Sequence, residues 1–500
     1  MIRKTFRLVI CILFSIAMLA SCTKSTEIVT LPATPTDTQV PATKTPLKPT
    51  ATQVPATKTL PPPTDTPAMP TQTLEPSPTA SSINELPMIE RVSVASDGTQ
   101  GNSFSYAPAI SVDGRYVAFT SDASNLVVGD TNGVKDIFVH DRKRGQTQLV
   151  SIASDGTQGN SDSYEIPAIS ADGRYVAFKS EADNLVEGDT NGVMDCFVHD
   201  RVTGETTRVS VASDGTQANG KCGNIGWWTY FGPSISATGR YVAFYSEATN
   251  LVEVDTNGVM DCFVHDRVTG ETTLESISSD ETQGDGDSLF PSISADGRYV
   301  AFRSEATNLV EGVTNGGIFV HDRVTGEMTL ASVFNDGTQG NSGAYYPTIS
   351  ADGRYVVFTS LSDNLVEGDT NIRDIFVHNR VTGETTLASV SIDGTQENRN
   401  TFFSSISADG RYVVFESDAT NLVEGDTNLG ADCFVHDRVT GKTTLVPVSS
   451  DGIQENSDSG FCSISADGRY VAFATWSTNL VVGDTNGTID VFIRDFGTIK

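Results

Sequence analysis

Ser170-Ala171-Asp172-Gly173-Arg174-Tyr175-Val176-Ala177-Phe178 is the stretch that decides the fold. Asp-Gly between apolar segments signals a tight hairpin turn, and Tyr-Val-Ala-Phe after it reads as a strand. Variants of the stretch occur seven times, with the glycine at Gly114, Gly173, Gly239, Gly297, Gly353, Gly410 and Gly468. The intervals are 59, 66, 58, 56, 57 and 58 residues. Periods of this size, built of short β-type segments, mean a propeller or solenoid rather than separate domains.

Working outward from the turn, the first unit reads as four strands. Pro108–Ser111 precedes the turn as strand A, and Tyr116–Phe119 follows it as strand B. A polar loop leads to strand C at Ile137–His140, and Arg144-Gly145 turns the chain into strand D at Gln148–Ser151. Four antiparallel strands make a blade, so seven units predict an all-β, seven-bladed propeller over residues 88–500. The last unit stops after strand C, at Val491–Asp495. Its missing strand is predicted at the other end, where Arg91–Ser96 matches the strand D segment Arg208–Ser213. Placing that segment on the seventh blade closes the ring and removes its open edges.

Before the ring the composition changes. Arg3, Lys4 and Arg7 precede an apolar run, Leu8–Ala20, too short to span a bilayer and typical of a secretory signal. Leu19-Ala20-Ser21-Cys22 resembles the bacterial lipobox, which implies cleavage within residues 1–22 and lipidation of Cys22. Residues 23–87 are rich in Thr and Pro, and Thr38–Thr45 recurs at Thr52–Thr59. Such a segment cannot bury a core and reads as a disordered stalk of extended, polyproline-like chain. The expected location is therefore outside the cytoplasm, on the extracellular face or in the periplasm, held to a bacterial membrane only by the lipid.

Charge narrows the ligands. The chain carries 33 basic and 63 acidic side chains, a net −30. Residues 1–86 hold seven basic and five acidic groups, which leaves −32 on the ring. Phosphate backbones and anionic lipid headgroups are repelled by such a surface, so nucleic-acid binding and electrostatic membrane docking are excluded.

The unit Pro-x-Ile-Ser-x-Asp-Gly-Arg-Tyr-Val-Ala-Phe, followed by Asp-x-Phe-Val-His-Asp and Thr-Gly, resembles the WD-like β-propeller repeat of the TolB family. The resemblance spans residues 88–500 and implies the propeller fold. Propellers of this kind serve as protein-binding platforms, as domains gating hydrolases and, in some cases, as lyases. Seven blades use the whole folded length, so no separate hydrolase domain is expected.

Repetition also tests for catalysis. His140, His199, His265, His321, His378 and His436 share one position in strand C, and a catalytic base would not be multiplied sixfold. They are expected to pack between blades or to bond the following Asp. Cys196, Cys262 and Cys433 occupy a slot filled elsewhere by Ile or Val, Cys462 takes a slot of Pro291, and Cys222 has no counterpart. No disulfide framework is expected from them.

Two polar motifs recur beside the strands. The B-to-C loop carries Asp130, Asn132 and Asp136; Asp189, Asn191 and Asp195; Asp255, Asn257 and Asp261; Asp426, Asn428 and Asp432; and Asp484, Asn486 and Asp490. The fifth unit has Asp369 and Asp374 one residue closer together, and the fourth has Val313 in place of the first Asp. Hard oxygen ligands so spaced suit Ca2+, while the same residues suit an Asx-turn in which Asp and Asn cap backbone amides. The D-to-A link carries Asp-Gly-Thr-Gln-x-Asn, as at Asp155–Asn160.

Symmetry breaks in the longest interval, where Asn219–Gly232 contains Trp227, Trp228, Tyr230 and Phe231. Clustered aromatics there are a candidate seat for a sugar or peptide. The sequence-based expectation is a monomeric, non-enzymatic platform binding a protein or a glycan, stabilised by Ca2+. A polysaccharide-degrading, lyase-like propeller and a structural spacer are the alternatives.

Overall fold

The computed structural model describes residues 88–223, 231–370 and 372–497; Cys22, the signal and the stalk lie outside the described residues. Among the described residues the strands form seven four-stranded antiparallel sheets, each in the order A-B-C-D. In the first blade these are Ser105–Ile110, Tyr116–Ser121, Asp136–Asp141 and Gln146–Leu149. The seven-bladed propeller is therefore as the repeat count predicts.

Closure is made by the N-terminal strand, in a shifted position. Met88–Arg91 pairs with Asp490–Asp495, with Met88 opposite Asp495 and Arg91 opposite Phe492. The predicted segment Arg91–Ser96 is thus corrected, and so is strand D of the first blade, which starts two residues earlier than its Val-Ser alternation suggests. The reason lies in the residues just past the strand. Val92 still donates to the Val491 carbonyl at 2.9 Å, but Ser93 turns its hydroxyl onto Asp490, and Val94 bridges Gln100 within the link. The alternation belongs to the link, where no third sheet partner exists.

Alternate residues of strands B and C face opposite neighbours. Val117, Phe119 and Phe138 pack against Ala472, Val491 and Ile493 of the seventh blade, whereas Ala118, Ile137 and Val139 pack against Val176, Phe178 and Phe197 of the second. Phe119 and Phe138 are fully buried and stacked at 6.0 Å, and the pair recurs as Phe178–Phe197 at 5.9 Å. Every blade is half of two cores.

The Gly-Arg-Tyr of each turn is a seam between blades. Gly173 has φ +73° and supports the ring of Tyr116 from the preceding blade so closely that a Cβ there would sit 2.1 Å from the ring. Arg115 and Arg201 cover that ring at 4.5 and 4.6 Å, and Arg115 reaches both oxygens of Asp141 at 2.9 and 2.6 Å. The same Gly-on-Tyr contact runs around the ring to Gly114 on Tyr470.

Two junctions are also covalent, which corrects the expectation of no disulfides. Cys196 on strand C of the second blade bonds Cys222 in the following link, and Cys433 bonds Cys462 on strand A of the seventh blade. The slot of strand C faces the next blade's strand A region, so partners distant in sequence, and at different repeat positions, meet there. Cys262 is a buried free thiol, as expected.

Candidate functional site on the link face

The B-to-C loops and D-to-A links emerge on one face, and their motifs interlock there. In the third blade, Val259 N–H donates to the Asn257 carbonyl oxygen at 3.1 Å, which turns the amide nitrogen toward Asp261 at 2.9 Å and the Gly284 carbonyl at 2.9 Å. Gln283 accepts from Thr256 N–H at 3.1 Å and donates to Asp255 at 2.9 Å and Asp261 at 3.1 Å. In the seventh blade Asn486 and Gln100 hold Asp484 and Asp490 likewise, and in the sixth Asn428 and Gln454 hold Asp426 and Asp432. Asn132 reaches Asp136 at 2.9 Å and Asn191 reaches Asp195 at 2.9 Å, while Gln158 donates to Gly129 rather than to Asp130.

These contacts test the calcium expectation. A calcium cage presents oxygens to the ion, whereas here amide nitrogens, fixed by backbone donors to their own oxygens, face the carboxylates. In the second blade Arg208 itself supplies the cation, 3.0 Å from Asp189 and 3.4 Å from Asp195, and Arg91 lies 3.4 Å from Asp484 in the seventh. Among the described residues no group of three or more His, Cys, Asp or Glu is placed to hold a metal ion. The residues fit an amide-clamped Asx loop, not a calcium cage.

The fifth blade breaks the pattern. Glu397 stands in the link where Gly159 and Gly284 stand elsewhere, and it is buried against Asp374; the sixth blade has Glu455 at the same position, buried against Asp432. Asp374 is within hydrogen-bond reach of Glu397, Asp369 and the Ser389 hydroxyl. Burial, compounded by the neighbouring carboxyls, pushes Asp374 up to about 9 and Asp369 up to about 7; burial also raises Glu397. Like charges this close cannot all ionise, so the cluster holds protons at neutral pH. Asp369 is half-buried and reaches solvent on the link face. Glu397 went unnoticed in the sequence, where its one signal is the replacement of a link glycine.

Toward the axis, strand A carries an irregularity with positive φ at Ala107, Glu165, Phe290, Tyr346 and Phe461. At this slot the third to seventh blades place aromatic rings and the first two place Ala107 and Glu165. Phe231 meets Tyr346 at 4.8 Å, Phe290 at 5.0 Å and Phe403 at 5.4 Å, and Phe403 continues to Phe461 at 6.1 Å. The aromatics thus form a joined arc across the axis rather than a ring around an open mouth. Beneath them lies an axial cavity of about 260 Å³, lined by strand A residues. Of the predicted ligand-binding set, Phe231 belongs to this arc, while Trp227, Trp228 and Tyr230 lie outside the described residues. Phe231 is anchored by its carbonyl, which accepts from the buried Lys179 at 3.0 Å, and Lys179 pairs with Glu165. A second aromatic pair, Phe104 and Trp476, meets edge-on at 5.5 Å, with Phe104 exposed.

The histidines are structural, with a partner other than the expected one. His140 Nδ1 bonds Thr147 Oγ1 of strand D at 2.9 Å, because the following Asp141 is taken by Arg115. Burial lowers His140 to about 4, so the ring is neutral. In the fourth blade Met328 replaces that Thr, and His321 turns to Glu275 at 2.7 Å.

No protein-family model and no curated protein matches this chain. Solved structures do. An oligogalacturonate lyase in complex with manganese is 13% identical, with 82% of this chain and 93% of that chain covered at a TM-score of 0.49. An oligogalacturonate lyase from Vibrio parahaemolyticus is 14% identical, covering 82% and 97%, TM-score 0.48. TolB from Acinetobacter baumannii is 15% identical, covering 62% and 58%, TM-score 0.35.

The propeller read from the repeats stands on the seven sheets of the structure itself. The expectation of a non-enzymatic chain is corrected, since two of these structures are enzymes matched over most of their length. At this identity the likeness speaks for the fold alone, and the chemistry has to come from the residues of this chain.

Proposed function

We propose that the ring is a polysaccharide-degrading propeller that works from its link face. One observation carries the reading: the carboxyls Asp369, Asp374 and Glu397 gather three acids at one point of that face, whereas the sixth blade pairs Asp432 with Glu455 and also holds its aspartates with Asn428 and Gln454. Cleaving a glycosidic link needs groups that give and take protons near neutral pH, and Asp369, raised to about 7 and half-exposed, is such a group. The burial of Asp369 itself and then the neighbouring Asp374 keep its proton in place, and Glu397 acts on Asp374. The aromatic arc and the Phe104–Trp476 pair offer faces on which sugar rings stack. Export and lipidation at Cys22 would present this face outside the cytoplasm.

The test is turnover on a panel of plant, algal and bacterial polysaccharides, read as new chain ends. A cleaved polysaccharide is expected, with the rate reduced at least about 100-fold in Asp369→Asn and the melting temperature unchanged. Cleavage that survives Asp369→Asn at full strength would move the chemistry elsewhere, and inertness toward every polysaccharide would reject the reading.

A further inference from the structure

The opposite face, formed by the A-to-B and C-to-D turns, carries a second feature that the link face does not explain. At six junctions an arginine follows the last residue of strand C, an Asp in five blades and Asn379 in the fifth, and lies over the Tyr of the preceding blade. In five of them the preceding blade supplies a glutamate. Arg142 meets Glu90 at 3.1 Å and Arg323 meets Glu275 at 2.9 Å. Arg267, Arg380 and Arg438 lie in the fields of Glu205, Glu327 and Glu384.

Arg201, between the first and second blades, has no such partner. Its Nε donates to the neutral Gln148 at 3.2 Å and its Nη1 to the Gly173 carbonyl. The position held by Glu205, Glu327 and Glu384 is Gln146 here. The nearby acids are already engaged: both oxygens of Asp141 receive Arg115, and Asp172 accepts from Ser170 and the Arg174 backbone. The turn adds Lys143 and Arg144 where the second to sixth blades have Val and Thr, and the Arg144 side chain is 67% exposed. In a ring of net −32 this junction exchanges its acid for amides beside a buried arginine and adds two cations in the turn.

These groups line a groove of about 510 Å³, bordered by Arg144, Gln146, Gln148, Arg174 and Arg201, a size suited to a small ligand. Arg201 has only the field of Asp141, whose oxygens Arg115 already takes, so a ligand carboxylate would supply the counter-charge that the other junctions draw from a glutamate. Gln146 and Gln148 add amide donors and acceptors of the kind that read hydroxyls. A peptide strand is disfavoured, because Ser96 already occupies the strand D edge, where its hydroxyl accepts from Thr147 N–H at 3.0 Å.

The geometry points to this groove as a binding site for an acidic, carboxylate-bearing oligosaccharide, separate from the link face and independent of the function proposed for it. The site would hold one acidic sugar of a chain and leave the rest in solvent.

Calorimetric titration of the full chain with an oligomer of uronic acid tests the assignment. Binding is expected, weakening at least tenfold in Gln146→Glu/Gln148→Glu, which restores the counter-charge of the other junctions, and severalfold in Arg144→Ala. Asp369→Asn is expected to bind the oligomer unchanged, which separates this site from the link face. Should the double variant melt early, Arg144→Ala, an exposed side chain, decides alone. The inference is overturned if the uronate oligomer does not bind, if the variants bind it as tightly as the unaltered chain, or if a sulfated neutral oligosaccharide or hexaglutamate binds tighter.

Discussion

The two faces of the ring are built from the same seven repeats and treat their charges in opposite ways. On the turn face, Arg115–Asp141 and its counterparts at Arg174, Arg240, Arg298, Arg411 and Arg469 repeat with distances of 2.6–2.7 Å, and in the fifth blade Arg354 keeps the geometry with Asn379 at 3.2 Å. On the link face the acidic pairs are clamped by amides in some blades, by arginine in the second and seventh, and joined by a buried glutamate in the fifth and sixth. A seam must be uniform because each blade has to fit the next, whereas a loop that only covers the blade top is free to diverge. Divergence within an otherwise uniform set is therefore the place to look for function, and the Arg201 junction applies the same logic to the turn face.

The largest effect is expected where both faces depend on one strand. A chain starting at residue 98 lacks Met88–Arg91 and the buried Ile89 and Val92, and should lose on the order of 5 kcal/mol or more relative to one starting at 86. Equal melting temperatures would show that the seventh blade does not need its closing strand.

A pair of glycines sharpens the contrast between seam and loop. Gly410 and Gly394 have φ of +75° and +81°, so alanine is strained at either. Only at Gly410 would the new Cβ meet a ring, 2.1 Å from Tyr355, while Gly394 has open space. Gly410→Ala should cost about 3 kcal/mol or more and Gly394→Ala about 1, read from denaturant melts. Similar losses would mean that the Tyr ring swings away freely.

The smallest effect is a pH dependence. Asp374 is raised to about 9 and Glu416, buried beside Gly460, to about 8. Both lie above the unfolded values of roughly 4, so the folded ring binds more protons than the unfolded chain. Stability should then fall as pH climbs from about 5 toward 9. Asp374→Asn should melt with the unaltered chain at pH 5 and several degrees above it at pH 8.5; a difference independent of pH would show that Asp374 is ionised in the folded ring.

The fold was legible because its evidence is periodic: seven Gly-Arg-Tyr turns, six of them Asp-Gly, and an unfinished last unit leave few other arrangements. Strand ends were less so, since Val92-Ser93-Val94 alternates like a strand but bonds through the Ser93 hydroxyl. The clamped loops were half legible. Spacing placed Asp255, Asn257 and Asp261 together, but which end of an amide faces a carboxylate depends on the backbone N–H that holds the other end. Cys196–Cys222 and Cys433–Cys462 were hidden because repeat alignment compares equivalent positions, and these bonds join unequal ones. The Glu397 substitution was visible but mute until folding brought Asp374 to it.

Closure by Met88–Arg91 also has a mechanical consequence. The first four residues of the ring form the outermost strand of the seventh blade, so tension arriving from the preceding chain loads a ladder of four residue pairs against Phe492–Asp495 before it reaches any other strand. The disulfide at Cys433–Cys462 joins the sixth blade to the innermost strand of that same seventh blade, which leaves the tugged strand free to peel while its blade stays attached. Under load the ring should yield first at that strand, like a zip with a fixed stop, and re-form when the pull is released.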